Sequence, residues 1–161
     1  MDQISHNPAE ANHVSPQATL GGYYANAGKV YRYVQFKEID TVTIVPGDVV
    51  QAVGGGTGIV TADISASVHA TLGRVYGVAV STPTDDYYGY VQVRGFCALI
   101  STSGDVAKGS YLVSGADKLA DPYTPTTDIT ADPNNDAARI FGQAGAADSA
   151  ANLTDAEIWC S

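Results

Sequence analysis

The sequence predicts an all-β protein, a small barrel or sandwich with an extended N-terminal arm, on three observations. Short runs of β-branched and aromatic residues alternate with Gly, Pro and Asp turn signals. No stretch places apolar residues at helical spacing. A Gly-strand-Gly order occurs twice along the chain. Composition agrees with a packed β domain. Of 161 residues, 45% are hydrophobic and 16% charged, where average soluble domains carry about 25% charged residues. Gly (17) and Tyr (10) are abundant instead, which is not the makeup of a disordered chain. This length fits one compact domain or two small ones, burying roughly 70% of the unfolded surface.

Residues 1–27 read as an extended arm and 28–161 as the β domain. The first twenty residues hold Pro8, Pro16, His6 and His13 and show almost no apolar period. They fit either a frayed terminus or an arm that orders on a neighbouring subunit. Strand signals then begin with Val30 to Phe36 and continue through Thr41 to Val45, ended by Pro46-Gly47-Asp48. Val49 to Val53 runs into Gly54-Gly55-Gly56, and Ile59 to Thr61, Arg74 to Val80 and Tyr87 to Ile100 follow. Pro83-Thr84-Asp85-Asp86 and Ser103-Gly104-Asp105 are turns. Asp136 to Arg139 and Ala144 to Ala151 are each long enough for one helical turn, but neither carries an apolar stripe.

The recurrence defines pseudo-repeats of about 41–100 and 101–161. Gly47-Asp48-Val49-Val50 precedes Arg74-Val75-Tyr76-Gly77-Val78-Ala79, and Gly109-Ser110-Tyr111-Leu112 precedes Arg139-Ile140-Phe141-Gly142-Gln143-Ala144. Each unit closes on an aromatic-Cys pair, Phe96-Cys97 and Trp159-Cys160. Matching order and spacing favour duplication over coincidence in a Gly-rich chain. Gly47 and Gly109 suit sharp entries into strands, while Gly77 and Gly142 suit bulges or close backbone approach. Two such units pairing into one barrel would remove exposed sheet edges. The loops at about 54–72 and 114–137 would then lie at one end, the second of them, Pro-, Thr- and Asp-rich, as a solvated loop.

Charge and cysteine content exclude several classes. With Lys plus Arg at 8 and Asp plus Glu at 17, the net charge is −9 and the pI about 4.4. That argues against a nucleic-acid partner. No apolar stretch reaches the ~18 residues that cross a bilayer, so no membrane partner is expected. Met1 to His6 shows no secretory pattern, so a cytosolic product is expected. Cys97 and Cys160 form no C-x-x-C motif; two buried thiols are favoured over a disulfide.

Catalytic patterns are missing too. His69 stands alone in a polar stretch, with no Gly-x-Ser-x-Gly elbow. The Gly54-Gly55-Gly56-Thr57-Gly58 run lacks the Lys-Ser/Thr ending of a phosphate loop. Asp85-Asp86 falls in a turn, and Asp128, Asp132 and Asp136 lack EF-hand order. Asn152-Leu153-Thr154 is a glycosylation sequon without an export signal. No catalytic, cofactor-binding or metal-ligating residue is assigned, and the chain is not expected to be an enzyme. The tyrosines stand out instead. In adjacent pairs on a strand one ring must face away from its own core, which makes Tyr23, Tyr24, Tyr87, Tyr88 and Tyr90 candidate interface residues.

Three stretches together, Gly73 to Ser81, Tyr88-Gly89-Tyr90-Val91-Gln92-Val93-Arg94-Gly95-Phe96-Cys97 and Val106-Ala107-Lys108-Gly109-Ser110-Tyr111-Leu112, resemble tailed-bacteriophage capsid decoration (cement) proteins. The resemblance covers about residues 45–160, with Ser110 where Asp is more usual; residues 1–27 carry none of it. It implies a β-rich virion protein, made in the host cytoplasm and often a homotrimer. Such a protein binds the outer capsid surface and stabilises contacts between major capsid subunits. The alternatives are a tail- or fibre-associated β module recognising host glycan through Tyr87 to Tyr90, and a small cytosolic enzyme.

Overall fold

The computed structural model describes residues 7–37, 43–53, 58–62, 75–115, 118–123, 140–147 and 153–160. Ten strands run through them: β1 (Tyr23–Asn26), β2 (Lys29–Phe36), β3 (Val49–Ala52), β4 (Ile59–Thr61), β5 (Val75–Ala79), β6 (Tyr88–Ser101), β7 (Tyr111–Ser114), β8 (Ala120–Pro122), β9 (Gly142–Ala144) and β10 (Leu153–Trp159). No helix occurs among the described residues.

Strands β2 to β6 close a small five-stranded mixed barrel. β2 pairs with β4 in parallel, Gln35 opposite Ile59 and Phe36 opposite Val60. The pairs β4–β3, β3–β5, β5–β6 and β6–β2 are antiparallel. Strand alternation then divides the side chains. Val34, Phe36, Val50, Val60, Val91 and Val93 fill the barrel with Ile44 and Tyr76. Their neighbours Val49, Val78, Tyr33 and Tyr90 turn outward, yet they too are buried, because further layers cover the barrel on two sides.

The first outer layer grows from β6 itself. Beyond its barrel half, the stretch Gly95 to Ser101 pairs with β10, which pairs with β9; β9 pairs with β7 and β7 with β8. Cys97, Ile100, Leu112, Ala144, Ala156 and Ile158 from this sheet pack on Val49, Val75 and Val78 of the barrel exterior. The second outer layer is residues 7–22. Ala11 and Leu20 lie with Tyr24, Tyr31, Tyr33, Tyr88 and Tyr90 in a separate cluster.

Strands begin earlier than the sequence suggests. β1 lies within the stretch read as an arm and forms a hairpin with β2 through Ala27-Gly28. Both residues have positive φ, 49° and 78°, the signature of a primed two-residue turn. Ala is seldom placed there, so the turn left no compositional mark. The expected strand Thr41 to Val45 does not form in its described part, residues 43–45. The Val45 N–H donates to Asp48 Oδ2 (2.9 Å) instead of to a neighbouring strand, while buried Ile44 joins the barrel core.

One hydrogen-bond pattern is built twice. Gly47 N–H donates to Ala79 O (2.9 Å) and Gly109 N–H to Ala144 O (2.8 Å). In return Ala79 N–H donates to Asp48 O (2.8 Å) and Ala144 N–H to Ser110 O (2.9 Å). Gly77 and Gly142 both sit where a side chain has no room. A Cβ on Gly77 would lie 2.6 Å from Val91 Cγ2, and one on Gly142 2.9 Å from Glu157 O. Gly77 also follows a bulge, since Val50 opposes Gly77 while Gln51 opposes Val75. The second set, β7 to β10, contributes no strand to the barrel, because β2 has already closed it against β4 and β6.

Asp48 locks the first of these turns from inside. It is buried, its Oδ1 accepting from Ser101 Oγ (2.9 Å) and its Oδ2 from Val45 N–H. Burial raises its pKa above 3.8, outweighing these hydrogen bonds and the charge of Lys118. A carboxyl with a raised folded pKa adds stability that is full below the unfolded value and lost as pH rises through the folded value. Asp48→Asn keeps an acceptor for Val45 and removes the charge. Urea unfolding should therefore show the wild type losing stability relative to Asp48→Asn as pH rises from below 3.8, and a constant difference would refute the assignment. Gly77→Ala should cost about 1–3 kcal/mol, as overpacking of a tight contact does, measured by the same unfolding at neutral pH.

Candidate functional site

Two surfaces emerge from this arrangement. The first is the tyrosine cluster on the outer face of β2 and β6. Tyr33 lies at its centre with 1% of its surface exposed. It packs edge-on to Tyr90 with ring centroids 5.0 Å apart and stacks on Tyr88 at 6.3 Å. Tyr24 contacts Tyr90 at 5.9 Å and Tyr31 at 6.3 Å. Burial pushes the hydroxyls of Tyr31, Tyr33 and Tyr90 above their ordinary value of 10.0, so they remain neutral.

Residues 7–22 are fastened across this cluster by specific bonds. His13 forms a two-way backbone bridge with Tyr88, both N···O distances 2.8 Å. Asn12 Oδ1 accepts from Thr84 N–H (3.1 Å), and its Nδ2 donates to Thr84 Oγ1 (3.2 Å). The Gln17 N–H donates to the Tyr33 hydroxyl (3.0 Å), and His13 Nδ1 lies 3.0 Å from the same oxygen. With His13 in its Nε2–H tautomer, the Tyr33 hydroxyl donates to Nδ1 while accepting from the Gln17 N–H.

Of the five sequence-predicted interface residues, Tyr90 is 4% exposed, and Tyr24, Tyr87 and Tyr88 are half-buried. Tyr23 is 65% exposed on β1. Its ring carries the Arg32 guanidinium at 4.6 Å from the centroid, and Arg32 Nη2 donates to its hydroxyl. Arg32 also lies 4.5 Å from the centroid of Tyr76, so one cation bridges the barrel core and β1. His69, the Gly54–Gly56 run, Asp128, Asp132, Asp136 and Asn152 lie outside the described residues.

The second surface is the outer face of the β6–β10–β9–β7 sheet, which the sequence reading did not single out. Register places Phe96, Glu157, Gln143 and Tyr111 side by side across four strands. Arg94 and Trp159 form the adjoining row. All six are exposed, Phe96 and Tyr111 by 49% and Trp159 by 40%. Three large aromatics thus occupy positions where a solvated antiparallel face normally carries polar residues. The signal was present as alternation: Thr154, Ala156 and Ile158 point inward, so Glu157 and Trp159 must point outward. Phe96 likewise neighbours the buried Cys97 and so points the other way.

Both thiols are free, and Cys97 Sγ donates to Leu99 O (3.2 Å). Burial raises Cys97 and pushes Cys160 up to about 12, which keeps both protonated and unreactive. Among the described residues, no group of three or more His, Cys, Asp or Glu side chains could hold a metal ion. Tyr33→Phe, which strips Gln17 and His13 of their shared partner, should cost about 0.5–1.5 kcal/mol. Hydrogen exchange at the Gln17 amide should accelerate accordingly, and unchanged exchange would show that this bond does not hold the arm.

No protein-family model matches the chain, and no curated protein is detectably similar to it in sequence. Among solved structures, the chain is similar to the N base of the head fibre gp8.5 of bacteriophage phi29. The TM-score is 0.52 at 16% sequence identity, over 81% of this chain and 93% of that one. At that identity the likeness is one of fold.

Proposed function

We propose that this chain is a structural protein of a phage virion that sits on the outer surface of the head and stabilises contacts between major capsid subunits. The observation that carries this reading is the fold likeness to the base of a phage head fibre, which takes in nearly the whole of that base. The decoration-protein resemblance of Gly73 to Leu112 supports it independently. In this reading the protein acts by binding alone, with no cofactor or metal, and neither nucleic acid nor membrane is a partner. It is made in the host cytoplasm and resides on the capsid surface as a homotrimer.

The physical requirements fit. A head-bound staple needs a scaffold that does not deform, and a closed barrel with two covering layers supplies one. It also needs to stay soluble before assembly, which a net charge of −9 promotes. Many copies bound to one shell gain strength through multivalency even where each contact is weak. Tyr23, exposed on β1, is the member of the predicted tyrosine set best placed to meet the shell, with Tyr87 and Tyr88 half-buried beside the arm. The two hydrogen-bonded units, about 41–100 and 101–161, are part of the same proposal as degenerate copies. The glycan alternative gains no support, since Tyr88 and Tyr90 are engaged with Tyr33 within the chain.

The test is cosedimentation of the purified chain with mature heads of the phage that encodes it. Saturable binding to intact heads, absent with free capsid subunits, is the expected result. Failure to bind heads, with retention on glycan arrays instead, would overturn the proposal.

A further inference from the structure

The outer face of the β6–β10–β9–β7 sheet has a composition unlike the rest of the chain. Of the six exposed residues in its two adjoining rows, three are aromatic (Phe96, Tyr111, Trp159), one is Gln143, and the remaining two are Arg94 and Glu157. One cation and one anion balance within these two rows, on a chain that carries −9 overall, while the half-buried Asp155 and Asp121 follow further along β10 and on β8. Two copies approaching through most of their surface would therefore repel. Through the two rows of Arg94 and Glu157 they meet a balanced pair of charges instead. Glu157 lies opposite Phe96 and Arg94 opposite Trp159, so the two charges occupy successive rows on neighbouring strands. A second copy of the same face can set its Glu157 against this Arg94 while the aromatics close over one another. Trp, Tyr and Arg are also the residues that dominate interface energetics when desolvated.

We infer that this face is the contact between copies of the chain, the aromatics Phe96, Tyr111 and Trp159 forming its apolar centre and Arg94 pairing with Glu157 of the adjoining copy. The inference rests on the reading of the chain as an oligomeric head protein. It adds which surface joins the copies, and it leaves Tyr23 and β1, which belong to the barrel and its hairpin rather than to this sheet, for the shell. The backs of these strands are already packed on the barrel through Cys97, Leu112, Ala156 and Ile158. The face is thus held flat on a rigid support before any partner arrives, which lowers the ordering cost of association.

Trp159 is the chain's single tryptophan, so its fluorescence reports on this face alone. Light scattering of the full chain should give a multiple of 16.7 kDa. Trp159 emission should shift to the blue and resist acrylamide quenching as concentration rises. Arg94→Glu and Glu157→Arg should each reduce the mass to that of a monomer and restore quenching. The double variant Arg94→Glu with Glu157→Arg should recover the oligomer. Recovery by charge exchange cannot follow from misfolding, and circular dichroism of each single variant confirms its fold.

A wild-type chain that is monomeric at every concentration overturns the inference, as does an oligomer whose mass ignores these substitutions. Cosedimentation with heads separates this outcome from the functional reading. Monomeric Arg94→Glu that still binds heads supports the inference and the functional reading together. Unaltered mass with lost head binding assigns the face to the shell and refutes the inference alone. Wild type that oligomerises through this face but ignores heads refutes the functional reading alone.

Discussion

A buried carboxamide lets strand β6 serve two sheets at once, and the remaining architecture depends on that sharing. The first half of β6 closes the barrel against β2, and its second half carries β10. Between the halves the register slips: Val30 opposes Arg94, but Tyr31 opposes Gln92, leaving Val93 unmatched. Gln92, 2% exposed, aims Nε2 at the carbonyls of this passage, 3.0 Å from Phe96 O, 3.2 Å from Gly95 O and 3.3 Å from Arg94 O. Buried carbonyls without a donor would cost about 1–3 kcal/mol each. Gly95 completes the passage with φ +94°, passing so near Gly28 that a Cβ would meet its oxygen at 2.6 Å.

From this junction follow the three separate cores. The barrel core lies inside β2 to β6, the second core lies between the barrel and the sheet that β6 extends, and the tyrosine core lies beneath residues 7–22. Each of the outer layers buries one face of the barrel, which explains why strand neighbours such as Tyr33 and Val34 are both inaccessible. A sheet covered on one face only must present its other face outward, and here that face displays aromatics. The same construction that buries one side of this sheet leaves Phe96, Tyr111 and Trp159 exposed on the other.

Much of this was legible in the sequence, and what was not has identifiable causes. Alternation and turn residues gave the class and most strands, because period two is a local property. The near-identical turns at Gly47-Asp48 and Gly109-Ser110 were readable for the same reason. Barrel closure was not, since the parallel pairing of β2 with β4 joins segments with no local mark of their partnership. The β1–β2 hairpin escaped because Ala27 adopts a conformation that composition assigns to Asn or Gly. For the tyrosines, the sequence shows that adjacent rings diverge, but not that residues 7–22 return to cover one side. Conversely Phe96 and Trp159 were visible as a recurring aromatic-Cys pair, and alternation turns Trp159 outward, but only the register across β6 and β10 sets the two in adjoining rows of one face.

The proposed role on a phage head is tested most directly by electron cryomicroscopy of heads carrying and lacking the chain. We expect added density on the outer surface, between major capsid subunits, into which the barrel fits with its Phe96–Trp159–Tyr111 face turned toward neighbouring copies. Heads that show no difference, or density confined to the tail, would contradict it.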